Sequence, residues 1–193
     1  MITNLKTGRV HKPYVVVSGL PGSGKSTLAQ RLAPLLNLPV LDKDEILERL
    51  YETKGIGNAA WRRALSRESD QLFQAAAFEA PGAILVSFWH LPGMASDSGT
   101  PIDWLGKLSH RVVHVACVCA PEVAAERWLQ RTRHPGHLDD GASKEEVLAS
   151  IRSIARLESL KVAPRIEVDT SEAHPELNGL VKKILRALDD TTA

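Results

Sequence analysis

The chain has 193 residues, 44% of them hydrophobic and 24% charged, with 24 Lys and Arg against 23 Asp and Glu. That length fits one domain with one full-sized core, and a formal net charge of +1 gives no reason to expect strong attraction to nucleic acid or membrane by bulk charge. No apolar stretch reaches bilayer length, and the opening MITNLKTGRVHKPYVVVSG is polar before a short apolar run, unlike a signal peptide; the expectation is a cytoplasmic protein with no membrane partner.

YVVVSG, residues 14–19, reads as a first buried strand that runs into a glycine loop. Residues 25–36 (KSTLAQRLAPLL) space Leu28, Leu32, Leu35 and Leu36 as on a helix, which Pro34 is expected to kink or shorten. LPVLD, 38–42, is a short second strand, and Asp42-Lys43-Asp44-Glu45 leads into a helix through ILERLYE. Residues 59–80 carry a longer helical pattern with Trp61, Leu65, Leu72, Phe73 and Ala76 on its inner face, stopped by Pro81-Gly82. A third strand follows at 83–89 (AILVSFW), then a Gly-, Pro- and Ser-rich loop at 91–103 that is expected to lie exposed over a sheet edge.

The fourth strand spans about 112–118 and leads to a helix in PEVAAERWLQR. Cys117 and Cys119, two apart, would share one face of an extended strand and read as buried thiols rather than a bridge or a metal site. RTRHPGHLDDGAS, 131–143, breaks the periodicity, and Ser143-Lys144-Glu145-Glu146 then forms a capping box for a helix reaching toward Leu160. RIEVD, 165–169, is the fifth strand and 176–188 the closing helix. Strands alternating with helices argue for an α/β fold, a five-stranded parallel sheet with helices on both faces.

Between the first strand and the first helix stands GLPGSGKST, in which Gly19-x-x-x-x-Gly24-Lys25-Ser26 is a complete P-loop in its proper setting. The glycines let the backbone of Gly19, Leu20, Pro21, Gly22, Ser23 and Gly24 wrap closely around phosphate oxygens. The helix start adds the free N–H groups of Lys25, Ser26 and Thr27 and a favourable dipole. Lys25 suits the terminal phosphates and Ser26 can place its hydroxyl on Mg²⁺. A purely structural glycine turn accounts for neither of these two residues. The expected cofactors are ATP and Mg²⁺. No Asn-Lys-x-Asp segment reads guanine, and the third strand ends Val86-Ser87-Phe88-Trp89-His90 without the acidic organiser of an AAA machine. A kinase fits this length.

Asp42 and Asp44 follow the second strand at the sheet edge where open α/β folds place ligands. Asp42 either holds magnesium through water and faces the substrate or simply caps the next helix. Asp44 is assigned as the catalytic carboxylate that orients an acceptor hydroxyl and takes its proton, although an acid is also favoured in a first helical turn. Trp89 and His90 are candidate acceptor contacts, set against a strand simply entering an apolar loop. Arg127, Arg131 and Arg133 form a basic constellation in which Arg127 and Arg131 share a helical face. Their assigned work is to stabilise transferred charge from a lid at about 127–143. His137 would touch the acceptor on closure, and Thr170 after the fifth strand would touch the nucleotide. The acceptor side is expected in the helical region at about 44–80 of a single 1–193 domain. A metal pair of His134 and His137 with Asp139 and Asp140 is disfavoured by the Pro-Gly turn between the histidines.

GLPGSGKSTLAQRLAPLL, LDKDEILERL, ERWLQRTRHPGH and IEVDTS together resemble the small P-loop kinases. That AAA-like ATPase and kinase group includes polynucleotide 5′-hydroxyl kinase domains and zeta-toxin-like and chloramphenicol-phosphotransferase-like proteins. The resemblance covers nearly the whole chain. It implies a P-loop NTPase fold of nucleoside-monophosphate-kinase type with a small lid, Asp44 as the acid that activates the receiving hydroxyl, and Arg127 and Arg131 on the donor phosphates. Two departures from the polynucleotide-kinase branch stand out. Leu47 occupies a position where that branch commonly has arginine, and Ser87-Phe88-Trp89-His90 replaces a segment that often contains Asp. Both lead away from an acceptor that is itself phosphorylated and toward an apolar or neutral hydroxyl compound. The expected activity is Mg²⁺-dependent transfer of the ATP γ-phosphoryl group to a small-molecule hydroxyl, by a monomer or homodimer. A nucleotide-dependent ATPase or regulatory module competes with it, as does a polynucleotide 5′-hydroxyl kinase, which the modest net charge disfavours.

Overall fold

The computed structural model describes residues 12–109, 111–138, 141–172 and 175–191. Five strands, β1 (Tyr14–Gly19), β2 (Val40–Asp42), β3 (Ala83–Val86), β4 (Val112–Val118) and β5 (Arg165–Asp169), form one sheet in the order β2-β3-β1-β4-β5. Every pairing is parallel. Helices α1 (Lys25–Leu36), α2 (Lys43–Lys54), α3 (Ala59–Glu79), α4 (Leu105–Leu108), α5 (Pro121–Gln130), α6 (Lys144–Ala155) and α7 (Leu177–Asp190) flank it. This is the α/β architecture of nucleoside-monophosphate-kinase type expected from the sequence.

The central strand shows why a continuous apolar run was needed. Tyr14, Val15, Val16 and Val17 are all fully buried because β1 is sandwiched on both faces. Side chains alternate across a strand, so Val15 and Val17 join Leu28, Leu32, Ile184 and Leu188 of α1 and α7 in one core. Tyr14 and Val16 join Phe73, Ala77, Trp89, Trp104 and Leu160 in the other. The Tyr14 hydroxyl donates to the carbonyl of Ala77 at 2.7 Å, tying the sheet to the end of α3.

Several elements depart from their expected form. α1 runs unbroken with Pro34 in its last turn. The buried face of α3 is Leu65, Ser69, Phe73 and Ala77, while Leu72 and Trp61 are exposed. β3 ends at Val86 rather than at 89, and α6 stops at Ala155 well short of Leu160. The glycine-rich stretch is not a loose loop throughout. Thr100 is buried, its carbonyl accepts from the His90 N–H and its own N–H donates to the Phe88 carbonyl, both at 2.8 Å. Trp104 and Leu105 then dive into the core at the start of the unexpected α4. Cys117 is buried, Cys119 is half-buried, and both are free thiols. No described helix is long and apolar enough to cross a membrane.

One buried titratable group lies in the sheet itself. His114 of β4 is fully buried, and its Nε2 shares a 2.6 Å hydrogen bond with the Ser18 hydroxyl. Burial, and then the charge of Arg165, push its pKa down to about 4. The unfolded chain takes up a proton below about 6.5 that the fold refuses, so this histidine's contribution is present above pH 6.5 and lost as pH falls toward 4. Urea unfolding should show about 3 kcal/mol of stability lost between pH 7 and pH 4 in the wild type that His114→Gln does not lose.

Candidate active site

A cavity of about 810 Å³ opens at the carboxyl ends of β1, β2 and β3. One half is walled by the glycine loop and the start of α1, the other by the start of α2, one face of α3 and the residues after β3. The loop is built by backbone geometry. Gly22 and Gly24 hold φ of +81° and +85°, values that an L side chain rarely adopts. At Gly22 a Cβ would also lie 2.1 Å from the carbonyl oxygen of Ala124, so the loop sits directly on α5. At Gly24 a Cβ would meet nothing within 4 Å, and the constraint there is conformational alone.

Lys25 folds back over this loop and donates to the carbonyls of Gly19 at 3.1 Å and Leu20 at 2.9 Å. Burial lowers its pKa. Ser26 donates to Asp42 Oδ2 at 2.6 Å, and the other carboxylate oxygen accepts the Asp44 N–H at 3.0 Å. Asp42 thus caps α2, one of the two roles expected of it, while its other oxygen faces the P-loop serine. Its burial raises its pKa, against the opposing pull of the Ser26 hydrogen bond. One hydroxyl and one carboxylate at a phosphate loop suit Mg²⁺, which keeps several waters and takes few protein ligands. Among the described residues no group of three or more His, Cys, Asp or Glu is placed to hold a metal, and Asp139 and Asp140 lie outside those residues.

Asp44 stands in the first turn of α2, about half exposed, in an ion pair of 3.0 Å with Arg133. The segment bearing Arg133 docks on α2. Tyr51 stacks on His134 with ring centroids 5.3 Å apart and meets the edge of His137 at 5.5 Å. His137 is buried and pairs with Glu48 at 2.9 Å, its pKa lowered by burial and the nearby Arg133 despite that pairing. Arg133 and His137 both line the cavity.

Other candidates fall elsewhere than expected. Arg127 and Arg131 do not share a helical face, because α5 ends at Gln130 and Arg131 is in extended backbone. Arg127 donates to the carbonyls of Thr170 at 2.6 Å and Ser171 at 2.7 Å, and Arg131 lies over the Trp128 ring at 5.9 Å. Both arginines still reach the cavity wall. Thr170 is buried, its hydroxyl turned to the Val118 carbonyl at 3.2 Å, and it lines a smaller recess of about 180 Å³ with Arg127, Arg31 and Pro175. Trp89 is a core residue, not a pocket wall. It packs against Phe73 and Trp104, and its indole N–H donates to the Val17 carbonyl at 2.8 Å. The His90 ring bonds to the Ser98 carbonyl at 2.7 Å, outside the cavity lining.

Reading the sequence missed most of the acceptor-side wall: Lys43, Arg62, Arg63, Ser66, Arg67 and Asp70. Lys43 is buried and pairs with Asp70 at 2.7 Å, pinning the start of α2 to α3. The signal was available, since Arg63 and Arg67 are four apart on α3 and face away from Leu65 and Phe73.

Residues 15–157 match the family described as an AAA domain. A shikimate kinase from Mycobacterium ulcerans is 28% identical over 186 residues, covering 93% of this chain and 91% of that protein. A shikimate kinase from Corynebacterium glutamicum is 57% identical, but over only 37 residues, 19% of this chain and 22% of that protein. Among solved structures, a candidate kinase from Chloroflexus aurantiacus superposes with a TM-score of 0.74 at 25% identity, covering 91% of this chain and 98% of that one. The chain is thus similar to shikimate kinases, which the sequence reading did not name.

The contrast between the two loop glycines gives a test. Gly24→Ala should cost about 1–3 kcal/mol of strain, whereas Gly22→Ala must in addition push the loop off α5. Urea unfolding should therefore rank Gly22→Ala as clearly the less stable of the two variants.

Proposed function

The chain belongs to the AAA domain family, and from that premise we propose that it is an ATP- and Mg²⁺-dependent phosphotransferase acting on a hydroxyl of a small molecule. The observation that carries this reading is the two-sided cavity. A P-loop forms one wall, and a carboxylate at the head of α2 faces the same space from the other. A nucleotide switch needs the first wall but has no use for the second. The likeness to shikimate kinases over nearly the whole chain supports transfer to a hydroxyl.

On this reading Gly22, Gly24 and the N–H groups that open α1 cradle the phosphates. Lys25 exchanges its two carbonyl partners for the terminal phosphates. Its lowered pKa marks how much of its hydration burial has removed, and a desolvated ammonium attracts phosphate strongly. Ser26 and Asp42 would hold Mg²⁺, which would neutralise phosphate charge. The smaller recess takes the base, with Arg127 clamping the β5 loop that forms its floor.

Asp44 orients the acceptor hydroxyl and receives its proton. The hydroxyl oxygen forms the new bond to the γ-phosphorus as the bond to the bridging oxygen breaks, and that electron pair leaves on ADP. Arg133, paired with Asp44 at 3.0 Å, holds that carboxylate in place at the cavity wall. Residues 131–138, docked on α2 through Tyr51, act as a lid that excludes water, with Arg131 close to the transferred charge.

Mass spectrometry of ATP-dependent phosphorylation over pooled hydroxyl compounds should reveal a product gaining one phosphoryl group with wild type and not with Lys25→Ala. ATP loss with no such product across the pools would favour the switch. Once an acceptor is in hand, Asp44→Asn should lower kcat about 10²- to 10⁴-fold while leaving the Kd for ATP within a few-fold. Unchanged transfer would remove Asp44 from this role.

A further inference from the structure

We propose that Lys43, the residue between the two carboxylates of the site, is a positioning residue for Asp44. It fixes the roll of the first turn of α2 through a buried chain of polar groups that ends beside β3, at the far wall of the cavity. This role rests on the kinase reading only where transfer is measured; the hold on α2 stands without it.

A lysine at the first position of a helix runs against local preference. The helix N-terminus carries partial positive charge and favours the acids Asp44 and Glu45 of the same turn. Burying an ammonium adds a further cost unless it is paired, yet Lys43 is only 8% exposed. Its partners lie on α3: Nζ meets Asp70 Oδ1 at 2.7 Å and donates to the Ser66 hydroxyl at 3.2 Å. The same Asp70 oxygen accepts the Thr100 hydroxyl at 2.9 Å, and the Thr100 oxygen is in turn hydrogen-bonded to the Ser87 hydroxyl. A hydroxyl has one proton to donate. Thr100 gives its proton to Asp70, so Ser87 is the donor in the last link. The chain therefore has a fixed direction, from Ser87 through Thr100 to Asp70, where Lys43 arrives from the other side. Thr100 and Ser87 are both buried, so little water competes for these bonds. One carboxylate thus ties together the head of α2, the middle of α3 and the residue that follows β3.

The consequence for Asp44 is geometric. Asp42 holds the first turn of α2 from the donor side, accepting from the Ser26 hydroxyl and from the Asp44 N–H. A turn held on one side can still roll about that hold. Lys43 reaches the other way, to α3, and supplies the second hold. Asp44, about half exposed, takes its place from this turn rather than from being buried. Loss of Lys43 leaves the bond between Ser26 and Asp42 intact and frees the roll. The donor half then keeps its geometry while the base loses its register against the acceptor.

Two variants test this. Lys43→Met/Asp70→Asn removes the anchor and both charges together, so that neither is left buried alone. Thr100→Val breaks the chain at a buried residue that does not line the cavity, and so cannot act by touching the acceptor. With the acceptor identified by the mass-spectrometric screen, kcat should fall about 10- to 100-fold in the double variant. In Thr100→Val it should fall about 3- to 10-fold, and in both the Kd for ATP should stay within a few-fold of wild type. Amide hydrogen exchange of the ligand-free protein, followed by NMR, reads the hold without transfer. Asp44 and Glu45 should exchange at least about 10-fold faster in the double variant. Leu28, whose N–H is bonded to the Gly24 carbonyl beside the phosphate loop, should exchange as in wild type. Unchanged kcat in either variant, a loss of ATP binding as large as the loss of kcat, or unchanged exchange at Asp44 would overturn the role of Lys43. If wild type phosphorylates nothing, faster exchange at Asp44 alone upholds that role, and the failure falls on the kinase reading.

Discussion

Asp42 makes two hydrogen bonds in opposite directions, and the site depends on both. One oxygen takes the hydroxyl of Ser26 from the phosphate loop, and the other takes the backbone N–H of Asp44 at the head of α2. A single carboxylate therefore sets the distance between the wall that would hold a donor and the wall that would present an acceptor. Bonds to a charged acceptor contribute about 1.5–3 kcal/mol each. That is enough to fix a register of this kind but too little to survive loss of the packing around it.

The packing comes from the sheet. β1 sends alternate side chains into two separate cores, so its end, where the glycine loop begins, is clamped from above and below. The aromatic cluster of Phe73, Trp89 and Trp104 extends one of those cores past the last residue of β3. It anchors the chain just before the segment 97–99 that closes the cavity's far side. Lys43 and Asp70 then bind the first turn of α2 to α3 across the cavity floor. Residues 133–137 after α5 meet α2 through the aromatic contacts of Tyr51 and two ion pairs.

The five strands, the longer helices and the phosphate loop were legible because each rests on local rules: apolar runs, 3.6-residue spacing, glycines at fixed offsets. Asp42 as a helix cap and the Ser143 capping box were legible for the same reason. Trp89 was misread because an aromatic after a strand reads alike whether the chain turns outward or, as here, a neighbouring strand offers it a carbonyl at 2.8 Å. Arg127 and Arg131 were placed on one face on the premise that the helix continued, and it ends between them. The arginines of α3 were passed over because a polar helix face normally means solvent. Only the tertiary fold turns that face into a wall.

That wall has an unusual standing in the economy of the chain. Leu65, Ser69, Phe73 and Ala77 hold α3 in place from one side, and the exposed Arg63 and Arg67 on the other side contribute little to keeping it there. Exposed substitutions away from caps and ion pairs usually shift stability by less than about 0.5 kcal/mol. A lineage could exchange one arginine at a time, and with it the chemistry of what the cavity admits, while the phosphate loop and both cores stay untouched. The fold thus separates a heritable part that must be kept from a heritable part free to drift, and new substrate preferences can arise along a single helical stripe.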